Sequence, residues 1–176
     1  MTSSTENSNS WVSPHAIVEA GAELGSGTRV WEFTKIRSGA KVGKNVTIGM
    51  GVYIGPGVII GDNCKIQNGA QIFEPAVLGV GVFVGPGTIL TNDRHPSAVN
   101  SSGSKKTESD WTKSSVIIED YASVGAGVIC VAPVLLGKGA SVGAGAVVTK
   151  DVKAGELVLG VPASPVIGKS SLPYVN

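Results

Sequence analysis

The sequence predicts an all-β solenoid of short parallel strands, on three observations. A branched aliphatic residue recurs every six positions over most of the chain. A small residue stands four places after each of them as far as Val84. Glycine, 25 of 176 residues, often follows the aliphatic directly. An α-helix does not fit, because a step of six turns it by about 240° and scatters the aliphatics over three faces. So much glycine opposes helix as well. A hairpin sheet would carry its turns at irregular spacing. Three hexads instead close one triangular coil: the aliphatic points inward, the small residue packs near the corner, and the glycine eases the turn.

Residues 1–11 are polar and rich in Ser and Asn, without the basic and apolar regions of a signal peptide. They read as a flexible N-terminal tail. The repeat domain is expected over 12–167. Its first run is anchored by Val12, Val18, Leu24, Val30, Ile36, Val42, Ile48, Ile54, Ile60, Ile66, Ile72, Leu78, Val84 and Leu90. The positions four places on, Ala16 to Thr88, are only Ala, Thr, Val or Cys. The rhythm stops at Leu90 and resumes at Ile118, a gap that is not a multiple of six. A polar loop over residues 92–115 must therefore leave the wall, and loops of that length tend to be functional or disordered. The second run is Ile118, Val124, Cys130, Leu136, Val142 and Val148, and residues 168–176 read as a C-terminal tail. These hexads amount to about six to seven coils, a prism of roughly 30 Å at the usual strand spacing. Such a rod has little concave surface, so ligand sites are expected between neighbouring chains.

Composition narrows the function. Fourteen Lys and Arg against 13 Asp and Glu leave a net charge of +1, which argues against nucleic acid or a membrane surface as partner. No 18-residue apolar run is present. Cys64 and Cys130 are far apart and read as core fillers in a reducing compartment, so a cytoplasmic location is expected. His15 and His95 are the two histidines, too few for a zinc site of the carbonic-anhydrase-like kind, and no metal is expected.

The pattern resembles the left-handed β-helix, hexapeptide-repeat acyltransferases over nearly the whole chain. The stretch Val142 to Val152, followed by Gly160-Val161-Pro162-Ala163, marks the superfamily. Four stretches resemble the nucleotide-sugar 3-N-acetyltransferases in particular: Val30-Trp31-Glu32-Phe33, Lys65-Ile66-Gln67-Asn68, Val82-Phe83-Val84-Gly85-Pro86 and Leu90-Thr91-Asn92-Asp93. The resemblance implies a left-handed helix and a homotrimer with active sites between subunits. It implies acetyl-CoA as donor, lying in the groove between two prisms. The acceptor it implies is the 3-amino group of a UDP- or dTDP-linked amino sugar, for surface polysaccharide or glycoside biosynthesis. The chain departs from the family at Met50-Gly51, where Gln-Asn is common, and at Ser97, where Arg is common.

The chemistry needs a neutral amine, a donor for the oxyanion and an exit for one proton. A 3-amino sugar is partly deprotonated near neutral pH, so a strong base is less necessary than for an alcohol. The resemblance implies that Asn92 positions the amine or the tetrahedral centre and that the departing sulfur accepts the proton. The rival for Asn92 is an Asx turn opening the loop. His95, before Pro96, also aligns with the general base of the sugar O-acetyltransferases, so a His95-dependent O-acetyltransferase stands as the alternative. A non-catalytic scaffold is the third reading. Glu74, Asp93 and Arg94 are candidates for sugar hydroxyls or phosphates, with Gln67 and Asn68 on the same wall; each is equally an ordinary surface residue. The expected CoA contacts are Gly125, Ala126, Gly143 and Ala144, with Lys150 near a phosphate. The same small residues are also what corners require. Trp31 and Phe33 are expected at the trimer seam, and Trp111 over a ligand or clamping the loop.

Overall fold

The computed structural model describes residues 9–170, and side chains up to residue 166. Residues 1–8 and 171–176, most of the two expected tails, lie outside the described residues. The first strand, Trp11–Val12, begins one residue before the expected domain start, and the last, Ser164–Ser170, runs into the expected C-terminal tail.

The strands are mostly two residues long and build three parallel faces of a prism. Face A runs from Trp11–Val12 through Arg29–Val30, Thr47–Ile48, Lys65–Ile66, Phe83–Val84, Ser123–Val124 and Ser141–Val142 to Glu156–Leu159. Face B runs from Ile17–Val18 to Val147–Val148, and face C from Glu23–Leu24 to Val134–Leu136. Each anchor stands over the one three hexads away: Val12 pairs with Val30, Val30 with Ile48, Ile48 with Ile66. The inward member of each strand is the predicted aliphatic, and from Val30 onward these are buried almost completely. No α-helix occurs among the described residues; Glu108–Asp110 forms a single 3-10 turn in the inserted loop.

The number of coils exceeds the expectation of six to seven. Seven coils are filled, and Glu156–Leu159 starts an eighth. Strict six-residue counting misses this because the last coil is shortened. Leu136 bridges to Val152, and Ser141 and Val142 pair with Leu157 and Val158. The antiparallel strand Ser164–Ser170 then pairs with Glu156–Leu159 at that end of face A, where it occupies an otherwise open edge.

The corners explain the small residues. Thr28, Thr34 and Thr88 are buried and donate to the glycine carbonyls of the next coil, Gly43, Gly49 and Gly125, at 2.7–3.0 Å. Cys64 Sγ does the same to Gly79 at 3.0 Å. Burial pushes the Cys130 thiol up to about 12 and raises that of Cys64, so both stay protonated fillers. Glycine at the first corner position is a matter of close approach. A Cβ on Gly49 would come within 2.7 Å of the Asn68 backbone nitrogen on the next coil.

Candidate functional site

The candidate residues fall on the two corners that flank face B. Gln67, Asn68, Gly125, Ala126, Gly143 and Ala144 lie in turns leading from face A to face B. Glu74, Asn92 to His95 and Lys150 lie in turns leading from face B towards face C. One chain therefore brings each set together but keeps the two sets a face apart. Lys150, expected near a phosphate of CoA, is exposed and sits on the other corner from Gly143 and Ala144.

The inserted loop leaves the wall after Ile89–Leu90 and returns at Val116–Ile118, between the fifth strands of faces B and C. Its neck is closed by the Ser114 N–H, which donates to the Asn92 carbonyl at 2.8 Å. Two contacts tie it to the coil below. Lys113 Nζ meets Glu74 Oε1 at 3.0 Å, and Ser115 Oγ donates to the Pro75 carbonyl at 2.9 Å. The Glu74 carboxylate holds the Lys113 ammonium above its ordinary range, against a smaller opposing effect of partial burial. Within the loop, Lys106 Nζ pairs with Asp93 Oδ2 at 3.1 Å and stands 5.6 Å from the centre of the Trp111 ring. Asp93, Ala98, Lys106, Thr107 and Trp111 belong to the lining of an open cleft of about 580 Å³. Trp111 thus both meets Lys106 within the loop and lines its open cleft.

Asp93, rather than Asn92, makes the Asx turn. Its Oδ1 accepts the His95 backbone N–H at 2.8 Å. Partial desolvation works to raise the Asp93 carboxyl, but the His95 N–H and the Lys106 ammonium outweigh it and hold it below the usual range. Asn92 contributes its backbone carbonyl to the neck. Its half-buried carboxamide makes no hydrogen bond among the described residues. His95 and Arg94 are exposed, and no carboxylate hydrogen-bonds the His95 imidazole among the described residues.

Several candidates carry a structural duty. Asn68 Oδ1 accepts the Met50 N–H at 3.0 Å, and Asp62 and Asp120 make the same bond to Lys44 and Val80 on their own neighbouring coils. Asn68 is thus one rung of a recurring corner bond, and its amide NH₂ makes no hydrogen bond among the described residues. The Glu74 carboxylate lies over Gly55, where a Cβ would meet Oε2 at 2.6 Å. Ala126 and Ala144 are exposed on successive coils, linked where the Gly145 N–H donates to the Ala126 carbonyl at 2.8 Å. A Cβ on Gly125 would run into Ala144 N at 2.5 Å, so Gly125 is needed by the stack itself.

Gln67 and Asn68 share a cleft of about 300 Å³ with Trp31, Thr47, Gly49, Met50 and Lys65. Lys106 and Lys113 were given no role by sequence reasoning, and Lys65 entered it only within the stretch Lys65-Ile66-Gln67-Asn68. Lys65 is legible as the outward partner of Ile66, but the two loop lysines carry no periodic signal. No group of three or more His, Cys, Asp or Glu able to hold a metal occurs among the described residues. Nor is any helix there long and apolar enough to cross a membrane.

Residues 39–74 match the family model described as bacterial transferase hexapeptide (six repeats). Residues 16–56 and 115–150 match that of the hexapeptide repeat of succinyl-transferase. A 2,3,4,5-tetrahydropyridine-2,6-dicarboxylate N-acetyltransferase of Staphylococcus aureus is 54% identical over 50 residues, 28% of this chain and 21% of that protein. The match thus spans about a fifth of the length of such curated relatives. Among solved structures, the GDP-perosamine N-acetyltransferase of Caulobacter crescentus, in complex with CoA and GDP-perosamine, is 24% identical with a TM-score of 0.55, over 89% of this chain and 56% of that one. The N-acyltransferase AntD of Bacillus cereus, in complex with dTDP and coenzyme A, is 18% identical with a TM-score of 0.56, over 93% and 82%. The polySia-specific acetyltransferase NeuO is 22% identical with a TM-score of 0.64, over 95% and 82%. At these identities the likeness is one of fold. The repeat that builds the wall is also the signature by which the chain belongs to the hexapeptide-repeat acyltransferase family.

Proposed function

We propose that the chain is an acetyl-CoA-dependent N-acetyltransferase acting on the 3-amino group of a nucleotide-linked sugar, in the cytoplasm. The observation that carries this reading is the state of Asn92. It stands at the neck of the loop that breaks the wall, Asp93 performs the turn, and the Asn92 carboxamide keeps its hydrogen-bonding capacity. The amine nitrogen attacks the thioester carbonyl, a C–N bond forms, the C–S bond breaks, and the ammonium proton leaves with the CoA thiolate as thiol. Asn92 donates to the oxyanion or orients the amine. The relatives bound to CoA together with GDP-perosamine or dTDP support this choice of ligands.

The active unit in this reading is a homotrimer. Ile59, Val77, Ile117 and Leu135 are consecutive register partners on the outside of face C, an apolar ladder with Ile59 and Ile117 well exposed. A neighbouring copy on this face lies next to the loop neck and brings a second prism to Asn92. The A-to-B corner of that copy, with Ala126 and Ala144, then supplies the wall for the pantetheine arm, and Gln67 and Asn68 line the acceptor side.

Thiol release from acetyl-CoA, measured against nucleotide sugars with and without a 3-amino group, tests the reading, with mass spectrometry of the products. Only amino sugars are expected to turn over. Asn92→Ala is expected to lower kcat by about a hundredfold, the cost of one oxyanion donor. His95→Ala is expected to cost less than about tenfold. Near-total loss in His95→Ala, with hydroxyl sugars turned over, identifies the O-acetyltransferase instead. No acetyl-CoA binding by calorimetry leaves a scaffold.

A further inference from the structure

Lys106 is withdrawn from solvent where its neighbours are not. Of residues 101–110 it alone is not exposed. Its side chain keeps 15% of its surface, and that of its partner Asp93 keeps 24%. An ammonium gives up hydration only against groups that favour a cation. Here those groups are Asp93 Oδ2 at 3.1 Å and the Trp111 ring, whose centre lies 5.6 Å away.

The loop is folded so as to bring Lys106 there, thirteen residues beyond Asp93. The chain turns back in a small hairpin. Val99 bridges Lys105 antiparallel, and the Lys106 N–H donates to the Ala98 carbonyl at 3.0 Å. Inside that turn Asn100 Oδ1 accepts the Ser102 and Ser104 N–H groups, each at 3.1 Å. Asn100 Nδ2 donates to Asp110 Oδ1 at 3.2 Å, and Asp110 Oδ2 accepts the Thr107 N–H at 2.7 Å. These bonds tie the hairpin to the short 3-10 turn Glu108–Asp110, which Trp111 follows directly.

Asn92 is therefore held from both sides. Its carbonyl accepts the Ser114 N–H at 2.8 Å. Its successor, Asp93, gives one oxygen to the His95 N–H and the other to Lys106. Neither contact touches the Asn92 carboxamide, but together they fix the backbone that carries it.

We propose that Lys106 is a positioning residue for acyl transfer: through Asp93 it fixes the direction in which the Asn92 carboxamide leaves the wall. The inference rests on the role given to Asn92 in the proposed function. Without the ammonium, Asp93 Oδ2 is free, and the His95 N–H alone holds the turn. A carboxamide that meets a developing oxyanion or an amine tolerates little error, since a displacement of about 1 Å can cost about a hundredfold in rate. The effect falls on the chemical step and not on donor binding, because the wall proposed for the pantetheine arm belongs to the other corner.

Steady-state thiol release from acetyl-CoA, with a UDP- or dTDP-linked 3-amino sugar as acceptor, tests this. Lys106→Met and Lys106→Arg are each measured alone and in the Asn92→Ala background. Lys106→Met alone is expected to lower kcat about tenfold or more, with KM for acetyl-CoA within about twofold. Lys106→Arg is expected to return kcat to within about threefold, since a guanidinium both pairs with a carboxylate and stacks on an indole. In the Asn92→Ala background Lys106→Met is expected to change kcat less than about twofold, because no carboxamide is left to aim. Unchanged thermal melting of the prism rules out loss of fold. An equal loss in both backgrounds overturns the proposal, as does a rise in KM for acetyl-CoA at constant kcat. An active wild-type chain with an indifferent Lys106→Met overturns the proposal alone. A wild-type chain that transfers no acetyl group overturns the proposed function and this inference with it.

Discussion

Ile66 and Ser141 show how differently two buried side chains support the same wall. Ile66 is fully buried in the aliphatic column of face A, between Ile48 and Val84. Truncation leaves a cavity that rigid coils close poorly, and Ile66→Ala is expected to cost about 2–5 kcal/mol in denaturant unfolding. Ser141 precedes Val142 on the outer side, yet it is buried, and its Oγ has no hydrogen-bond partner among the described residues. An unpaired buried hydroxyl contributes no net stability. Ser141→Ala is therefore expected to leave the unfolding midpoint unchanged or raise it slightly. The Ile66 position was legible from the period of six. The isolation of the Ser141 hydroxyl was not, because it depends on what packs over that strand.

At the scale of single coils, side chains at the corners hold neighbours together. Glu19 on the first coil accepts the Ser38 backbone N–H at 3.0 Å and pairs with Arg37 at 2.9 Å and Lys35 at 3.3 Å. The Ser38 N–H, followed by Arg37 and Lys35, holds the Glu19 carboxyl down at about 2, against a smaller opposing desolvation. A depressed carboxyl stabilises the folded state fully above its unfolded value near 4.5 and loses that contribution as the pH falls towards 2. Glu19→Gln should thus lower the thermal midpoint near neutrality and flatten its fall between about pH 4.5 and pH 2. Equal acid slopes for the two proteins would show that Glu19 does not hold the first two coils. The same logic applies to the loop, where Lys113 joins Glu74 across the neck. Lys113→Ala is expected to leave the melting of the prism unchanged and to speed limited proteolysis within residues 92–115.

For the whole molecule, one prism divides the candidate residues between two corners, and in the proposed trimer a second prism would bring them together. The apolar rungs Ile59, Val77, Ile117 and Leu135 run along face C beside the loop neck. If a second copy covers them, the chain sediments as a trimer, and Ile117→Arg is expected to sediment as a folded monomer with acetyl transfer lost. A monomeric wild-type chain with full activity would confine the site to one prism. The prism ends differ in exposure. Val12, Val18 and Leu24 of the first coil are only partly buried, whereas the antiparallel strand Ser164–Ser170 pairs along the last. Hydrogen exchange should accordingly be fastest in the first coil.

The sequence alone determined the repeat, the inward column, the small corner residues and the place where the wall opens. Each of these follows from a local periodicity that every coil restates, so no distant contact is needed to read it. It undercounted the coils, because the last one is shortened and loses the six-residue step between Val148 and Val158. Only the tertiary structure decided which turn residue does what. Asn92 and Asp93 are neighbours of similar shape, and it is the position of Lys106 and of the His95 N–H that engages Asp93 and leaves the Asn92 carboxamide disengaged. It also separated Lys150 from Gly143 and Ala144 and placed Trp11 beside Trp31 and Arg29. Those relations depend on how successive coils stack, and side chains far apart in sequence meet only once the coils are closed.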